Sequence, residues 1–462
     1  MQLSPNTRQS LAGRLAYPLL QFAAYEPSSG ILLVATAMAA LAWANVEALP
    51  SYAGFWNTEL AIRLGDWSLS LSVHDWIDDA VMTVFFLQIS LEVKHEFARG
   101  SLSSWHTAVL PLAAAVGGML VPVAIYLAFN AKGDAATGWA VPMATDVAFA
   151  IALLSLLGRR VPVGLRALLL ALAVIDDIGT ILVIALFYSS KIAAGPLLAA
   201  GGGLLLVWGM RSAGVRSFLP YWLAGAAIWL AMEKSGVHPT VAGVLLGLMT
   251  PLSVPRHRKG RSREAAARIP HLLRSQDTPN WRLKRELATA ERGALAPLDI
   301  LRYQLEPWVL YLIMPLFALA NAGVELGAAD LSADGNFRIF AGVALGLLVG
   351  KPLGILAFAW LAKQLVNASL PAGVSWPAMV GLGLLAGVGF TVALFLTSLA
   401  FPGQSAAVVA RLGILAGSLA AAVIGLAILW WTLRVQSQPG SVRGDRTSTT
   451  DSNNHRNEEL EA

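Results

Sequence analysis

Four ionisable residues stand where a chain of this composition tolerates few. Asp146, Asp176, Asp177 and Lys351 each fall near the middle of an apolar run long enough to cross a bilayer. On a lenient insertion scale a midplane charge costs about 2.5 to 3.5 kcal/mol, so four cost roughly 10 to 14 kcal/mol before any pairing. One acid with one base could be a buried pair that only holds helices together. Three acids against one base leave two carboxylates without a cationic side chain at that depth, and these must take a proton, meet water or bind a cation. Consecutive helical residues point about 100 degrees apart, so one of Asp176 and Asp177 can face Lys351 while the other faces a cavity. Crowded carboxylates of this kind trade protons, and with hydroxyl and carbonyl oxygens they suit a hard monovalent cation.

The elements that must hold these groups are membrane spans. The chain has 462 residues, 56% hydrophobic and 13% charged, with a net charge of +5. About a quarter of a soluble domain's residues are charged, so the composition excludes a soluble enzyme and a nucleic-acid binder. The absence of cysteine excludes disulfides and Cys–zinc sites. Breaks at Pro, Gly and charge clusters predict twelve spans, near 30–49, 76–97, 107–129, 138–157, 164–188, 193–210, 220–234, 236–252, 305–325, 339–362, 374–400 and 406–433. Most of the 33 Lys and Arg fall on the amino terminus, the loops after even-numbered spans and the carboxyl tail; Arg63, Lys132, Lys191, Lys234 and Arg338 fall on the opposite side. The positive-inside rule then places both termini in the cytoplasm.

The expected organisation is a cytoplasmic segment 1–29, a transmembrane domain 30–433, and a polar, disordered cytoplasmic tail 434–462. Alternation around Gly65 and Asp66 suggests an outer hairpin at 58–71. The loop 254–303 holds twelve Lys and Arg against five acids, which suits topology and contact with anionic membrane lipid.

Two spans carry interruptions. Span four contains Pro142 and the polar run Ala144, Thr145, Asp146, and span eleven contains Gly381, Gly383, Gly387 and Gly389 ahead of Thr391. Unwound backbone at membrane depth is tolerated where it is buried in protein or lines a cavity, so the expected fold is all-α with two discontinuous helices. Spans four and eleven run in opposite directions, and 147–156 aligned with 390–399 matches Ala, Leu, Ser and Leu at four of ten positions, the pattern of an inverted repeat.

The order of the motifs resembles the NhaA-type sodium/proton antiporters. The matching stretches are 76–79 (WIDD) with 84–96 (VFFLQISLEVKHE), 138–150 (GWAVPMATDVAFA), 175–177 (IDD), 236–243 (GVHPTVAG), 307–308 (PW) with 315–323 (PLFALANAG), 350–354 (GKPLG) and 387–391 (GVGFT). The resemblance implies that Asp177 is the principal ligand for Na+ and the proton carrier, with Asp176 the partner of Lys351 and a second oxygen ligand for the ion. It makes Thr145 and Asp146 the polar break in span four, Asp79 a secondary acid near the outer end of span two, and Glu92, Glu96 and His238 parts of pH regulation. It further implies a bacterial inner-membrane homodimer with the hairpin at its interface. Its work would be to export Na+ or Li+ for a larger number of external protons, with no cofactor. The chain departs from the family at Arg302, where an acid is usual, and at Glu306, where a His is usual, so its activation range need not follow that of its relatives.

Other classes fit less well. An intramembrane aspartyl protease would place its acids in Tyr-Asp and Gly-x-Gly-Asp contexts, which Asp146 and Asp176 lack. A channel would want rings of acids or carbonyls from several subunits. A sodium-coupled solute symporter shares repeats and broken helices but needs an organic pocket, and no second polar cluster supplies one. No ATP-binding glycine loop points to a pump.

Overall fold

The computed structural model describes residues 28–253 and 296–436, apart from 66, 190–191, 216, 329–330, 333–334 and 403–404. Most of the amino-terminal segment, the basic loop as far as 295 and the tail from 437 therefore lie outside the described residues. Seven described helical segments are long and apolar enough to cross a membrane, and the bent pair at 376–400 makes an eighth. The chain is a multi-pass, mostly helical membrane protein. The other four expected spans fall on helices that are shorter or more polar, at 76–99, 194–212, 218–233 and 240–249.

Helix α1 (Ser28–Asn45) leads through α2 (Tyr52–Trp56) into strands β1 (Glu59–Leu64) and β2 (Trp67–Ser72). The strands pair antiparallel, with Leu60 opposite Leu71 and Ile62 opposite Leu69, and Gly65 supplies the positive φ of 61° that the turn requires. Ser72 then caps the next helix, its Oγ accepting from the Asp75 amide at 3.0 Å. That helix winds through a π-helical stretch, Trp76–Val81, before α3 (Met82–Arg99). In the widened turn the Asp79 carbonyl accepts from Trp229 Nε1 at 3.1 Å as well as from Thr83 Oγ1.

The core is built on α4 (Trp105–Phe129), a 3-10 stretch Asp134–Met143, α5 (Val147–Ser155) and α6 (Val163–Phe187). The long segment from α12 (Asn336–Leu345) through π-helical Gly346–Gly350 into α13 (Lys351–Val366) crosses α4 closely. A Cβ at Gly354 would strike the Gly117 carbonyl, and one at Gly117 the Gly354 carbonyl, so this crossing requires glycine on both helices. Helices α7 (Ala194–Ser212), α8 (Phe218–Glu233) and α9 (Thr240–Met249) form a smaller cluster around Ile228, Trp229 and Met232, beside α3.

Two boundaries differ from expectation. Helix α10 (Pro297–Trp308) starts inside the segment expected to be loop up to 303, because Pro297 suits the first helical position and Asp299 accepts from the Ala296 amide. It continues through Val309–Ile313 into α11 (Met314–Asn321). The closing helix α16 (Ser405–Gln436) carries past 434, where disorder was expected, with the Arg434 guanidinium 5.0 Å over the Trp430 ring one turn back. Between them, α14 (Trp376–Ala386) and α15 (Phe390–Ala400) are separated by three non-helical residues and bent by 45°.

Candidate ion site

Asp176 and Asp177 lie halfway along α6, 0% and 5% exposed, in a run whose other neighbours are almost all aliphatic. Lys351, also 0% exposed, starts α13 and is brought against them by the Gly117–Gly354 crossing. Its Nζ lies 2.8 Å from Asp176 Oδ2 and donates to the Met143 carbonyl. Thr145 Oγ1 is 2.7 Å from the same carboxylate oxygen and 2.8 Å from the Ala386 carbonyl, linking the break in one chain segment to the end of α14. The polar groups order themselves by helix ends. Carbonyls ending the 3-10 stretch and α14 meet the Lys351 ammonium and the Thr145 hydroxyl, while the amides starting α5 and α15 meet an acid.

That acid is Asp146. Its Oδ1 accepts from the Phe149 amide at 3.0 Å, and its Oδ2 accepts from the Thr391 amide at 3.2 Å and Thr391 Oγ1 at 2.6 Å. Its own amide donates to the Val388 carbonyl at 2.7 Å. Asp146 thus caps two helices across the two interruptions. Gly389 makes the approach feasible, since a Cβ there would lie 3.1 Å from the Ala144 carbonyl.

Asp177 is different. Its carboxylate makes no hydrogen bond or ion pair with the described residues, although the residue is only 5% exposed. Asp176 Oδ1 and Thr180 Oγ1 are likewise buried without partners. Thr180 is three residues after Asp177 and four after Asp176, hence on the same helix face. Sequence reasoning did not single out Thr180; its i+4 spacing from Asp176 was the available signal. Oxygens with unused lone pairs beside a neutralised Asp176–Lys351 pair can receive a monovalent cation, and a carboxylate among them can instead receive a proton.

The remaining candidates divide between two places. Asp79 Oδ1 lies 3.6 Å from His238 Nε2 at the hairpin end of the fold, on a cavity of about 560 Å3 that Tyr52, His74, Asp78, Asn57 and Arg411 also line. Glu92 and Glu96 lie farther along α3, about 20 Å beyond Asp79 at the helical rise. The structure therefore does not bring His238 together with those two acids. Arg302 Nη1 lies 3.1 Å from both oxygens of Glu92, and Arg99 Nη1 lies 2.7 Å from Asp299 Oδ2, so two ion pairs tie α3 to α10. Glu96 Oε2 accepts from the Ser101 amide and hydroxyl, and Glu306 is exposed.

Comparison with known proteins agrees in extent. The family model described as Na+/H+ antiporter 1 matches residues 20–429. A protein of Bordetella petrii named Na(+)/H(+) antiporter NhaA is 44% identical over 429 residues, covering 91% of both chains. Proteins named Na(+)/H(+) antiporter NhaA 2 from Myxococcus xanthus and Pseudomonas putida are 44% and 45% identical, covering 94% and 92% of this chain and 92% and 95% of their own. With one family model matching residues 20–429 and relatives of this identity aligned over 91% or more of both chains, the chain belongs to the Na+/H+ antiporter 1 family.

Proposed function

We propose that this protein is a secondary transporter that exchanges cytoplasmic Na+ or Li+ for external protons at Asp177, assisted by Asp176. The observation that carries the reading is the unpartnered Asp177 carboxylate beside a Lys351–Asp176 pair at 2.8 Å, both pair members fully buried. The pair is neutral and Asp146 is held by three hydrogen-bond donors, so Asp177 is the carboxylate left for Na+ or a proton to neutralise. Na+ would take Asp177, the free Asp176 Oδ1 and Thr180 Oγ1; protonation of Asp177 would expel it. If the site passes between the two sides only when neutralised, the empty charged form is held back and exchange is obligatory. Asp146 and Thr145 would hold the interrupted segments in register around the ion rather than carry it.

The finer parts of the reading rest on the sequence and on family likeness. They are twelve spans with an inverted repeat and discontinuous spans four and eleven, both termini in the cytoplasm of a bacterial inner-membrane protein, and a homodimer joined at the β1–β2 hairpin. We also infer more protons than Na+ per cycle, regulation by pH, and no cofactor. The names of the relatives support antiport over solute symport. The test is Na+-driven proton movement in proteoliposomes with no organic solute: exchange that Asp177→Asn abolishes supports the reading, and exchange that persists at the native rate overturns it.

A further inference from the structure

The hairpin-side cavity contains a hydrogen-bond chain with no part in the site above. Asn321, fully buried at the end of α11, donates through Nδ2 to Asp78 Oδ1 at 2.9 Å and to the Phe317 carbonyl at 3.3 Å. Two acceptors on one atom establish that this atom is the amide nitrogen, so Asn321 Oδ1 is the atom 3.2 Å from His74 Nε2. An amide oxygen only accepts, so His74 Nε2 carries a hydrogen. The other ring nitrogen, Nδ1, faces two carboxylate oxygens, Asp78 Oδ2 at 3.8 Å and Asp75 Oδ1 at 4.0 Å. A neutral His74 would turn its lone pair toward both carboxylates; a second ring proton turns repulsion into attraction.

We propose that His74, oriented by Asn321 and paired with Asp78, is a proton-binding site in the hairpin-side cavity, separate from the midplane carboxylates. The contrast with the second histidine of the cavity supports this. His238 Nδ1 lies 2.8 Å from Thr240 Oγ1, a partner that a neutral ring satisfies, and its Nε2 faces one carboxylate, Asp79, at 3.6 Å. His74 precedes the apolar run of its helix. Burial alone would lower its pKa, but the Asp75 and Asp78 carboxylates outweigh burial and the nearby Arg411 charge, leaving it above the usual histidine value. Beyond these, the charged and titratable groups on the same cavity are Asp79, Tyr52 from α2, His238 ahead of α9 and Glu325 after α11. The proton is held at low pH and lost as pH rises through the raised value, and its loss makes the cavity one charge more negative. On the orientation proposed above the cavity faces outward, so His74 takes up external protons and sets how strongly the outer cavity attracts cations. The proton site stands on geometry; its external role rests on the antiport reading.

Nitrogen-15 NMR of histidine-labelled full-length protein, with His74→Gln identifying the His74 signal among seven histidines, tests the site without transport. His74 should titrate above a free histidine measured under the same conditions, and Asp78→Asn should weaken its proton affinity about tenfold or more, one pKa unit. A His74 that titrates at or below the free histidine, or a titration unchanged by Asp78→Asn, overturns the proposal whether or not the protein transports Na+. Exchange in proteoliposomes with pH varied on the hairpin side should lose a one-proton step in His74→Gln. A pH profile identical to that of the unaltered protein overturns the external role.

Discussion

Removing Lys351 should show what the buried Lys351–Asp176 pair contributes. Lys351→Ala deletes the ammonium 2.8 Å from Asp176 and the donor to the Met143 carbonyl, both in a region with no solvent exposure. Asp176 Oδ2 then keeps only the Thr145 hydroxyl, and its Oδ1 already has no partner. Breaking one side of a buried pair costs about 3 to 5 kcal/mol, and less if Asp176 takes a proton. Asp176→Asn alone strands the opposite charge, leaving Lys351 with the Met143 carbonyl, and should cost a similar amount. The double variant buries no charge at this position, so it should be more stable than the sum of the two losses implies, by about 1 to 3 kcal/mol of coupling. Thermal unfolding followed by tryptophan fluorescence in one detergent at fixed pH reads all four proteins. Losses that simply add would refute the pairing as an energetic unit.

Other variants probe the supporting parts. Asp146→Ala removes the cap of α5 and both Thr391 contacts, and at about 0.5 to 2 kcal/mol per lost cap it should lower the melting temperature clearly more than Asp146→Asn, which keeps an acceptor oxygen. Gly354→Val should abolish folding or leave too little protein in the membrane to measure, since its side chain meets the Gly117 carbonyl; normal expression and melting would contradict the close crossing. Arg302→Gln should cost only about 0.2 to 1 kcal/mol, because both partners are partly solvated, yet shift the pH profile of exchange by freeing Glu92 on the opposite side from the hairpin. An unchanged profile would limit the Arg302–Glu92 pair to joining α3 and α10.

The burial of Asp146, Asp176, Asp177 and Lys351 inside the protein was legible because charge is rare in long apolar runs, and span positions can be counted from Pro, Gly and charge. The interruption between α14 and α15 could be read from glycine spacing, and the one before α5 from Pro142 and the polar run after it. Beyond the Asp176–Lys351 pairing, convergence over long separations could not be read. Nothing local joins His74 to Asn321, 247 residues away, or Glu92 to Arg302, 210 residues away. The π-helical stretches at 76–81, 309–313 and 346–350 were also hidden, because hydrophobic periodicity does not distinguish one inserted residue from a continuous helix. Thr180 looked like an ordinary helix residue until burial showed its hydroxyl unpaired. His238 lay in a motif suggestive of regulation alongside Glu92 and Glu96, and only the fold separates it from them.

In the proposed cycle Na+ and protons compete for the Asp177 carboxylate. Calorimetric titration of Na+ into the detergent-solubilised protein, from about pH 6 to about pH 9, tests it over the range in which buried carboxylates are known to titrate. Apparent Na+ affinity should fall as pH falls, approaching tenfold per pH unit for each competing proton, and Asp177→Asn should show no Na+ binding heat at any pH. Affinity that stays flat across this window, or Na+ binding retained in Asp177→Asn, would contradict a shared site.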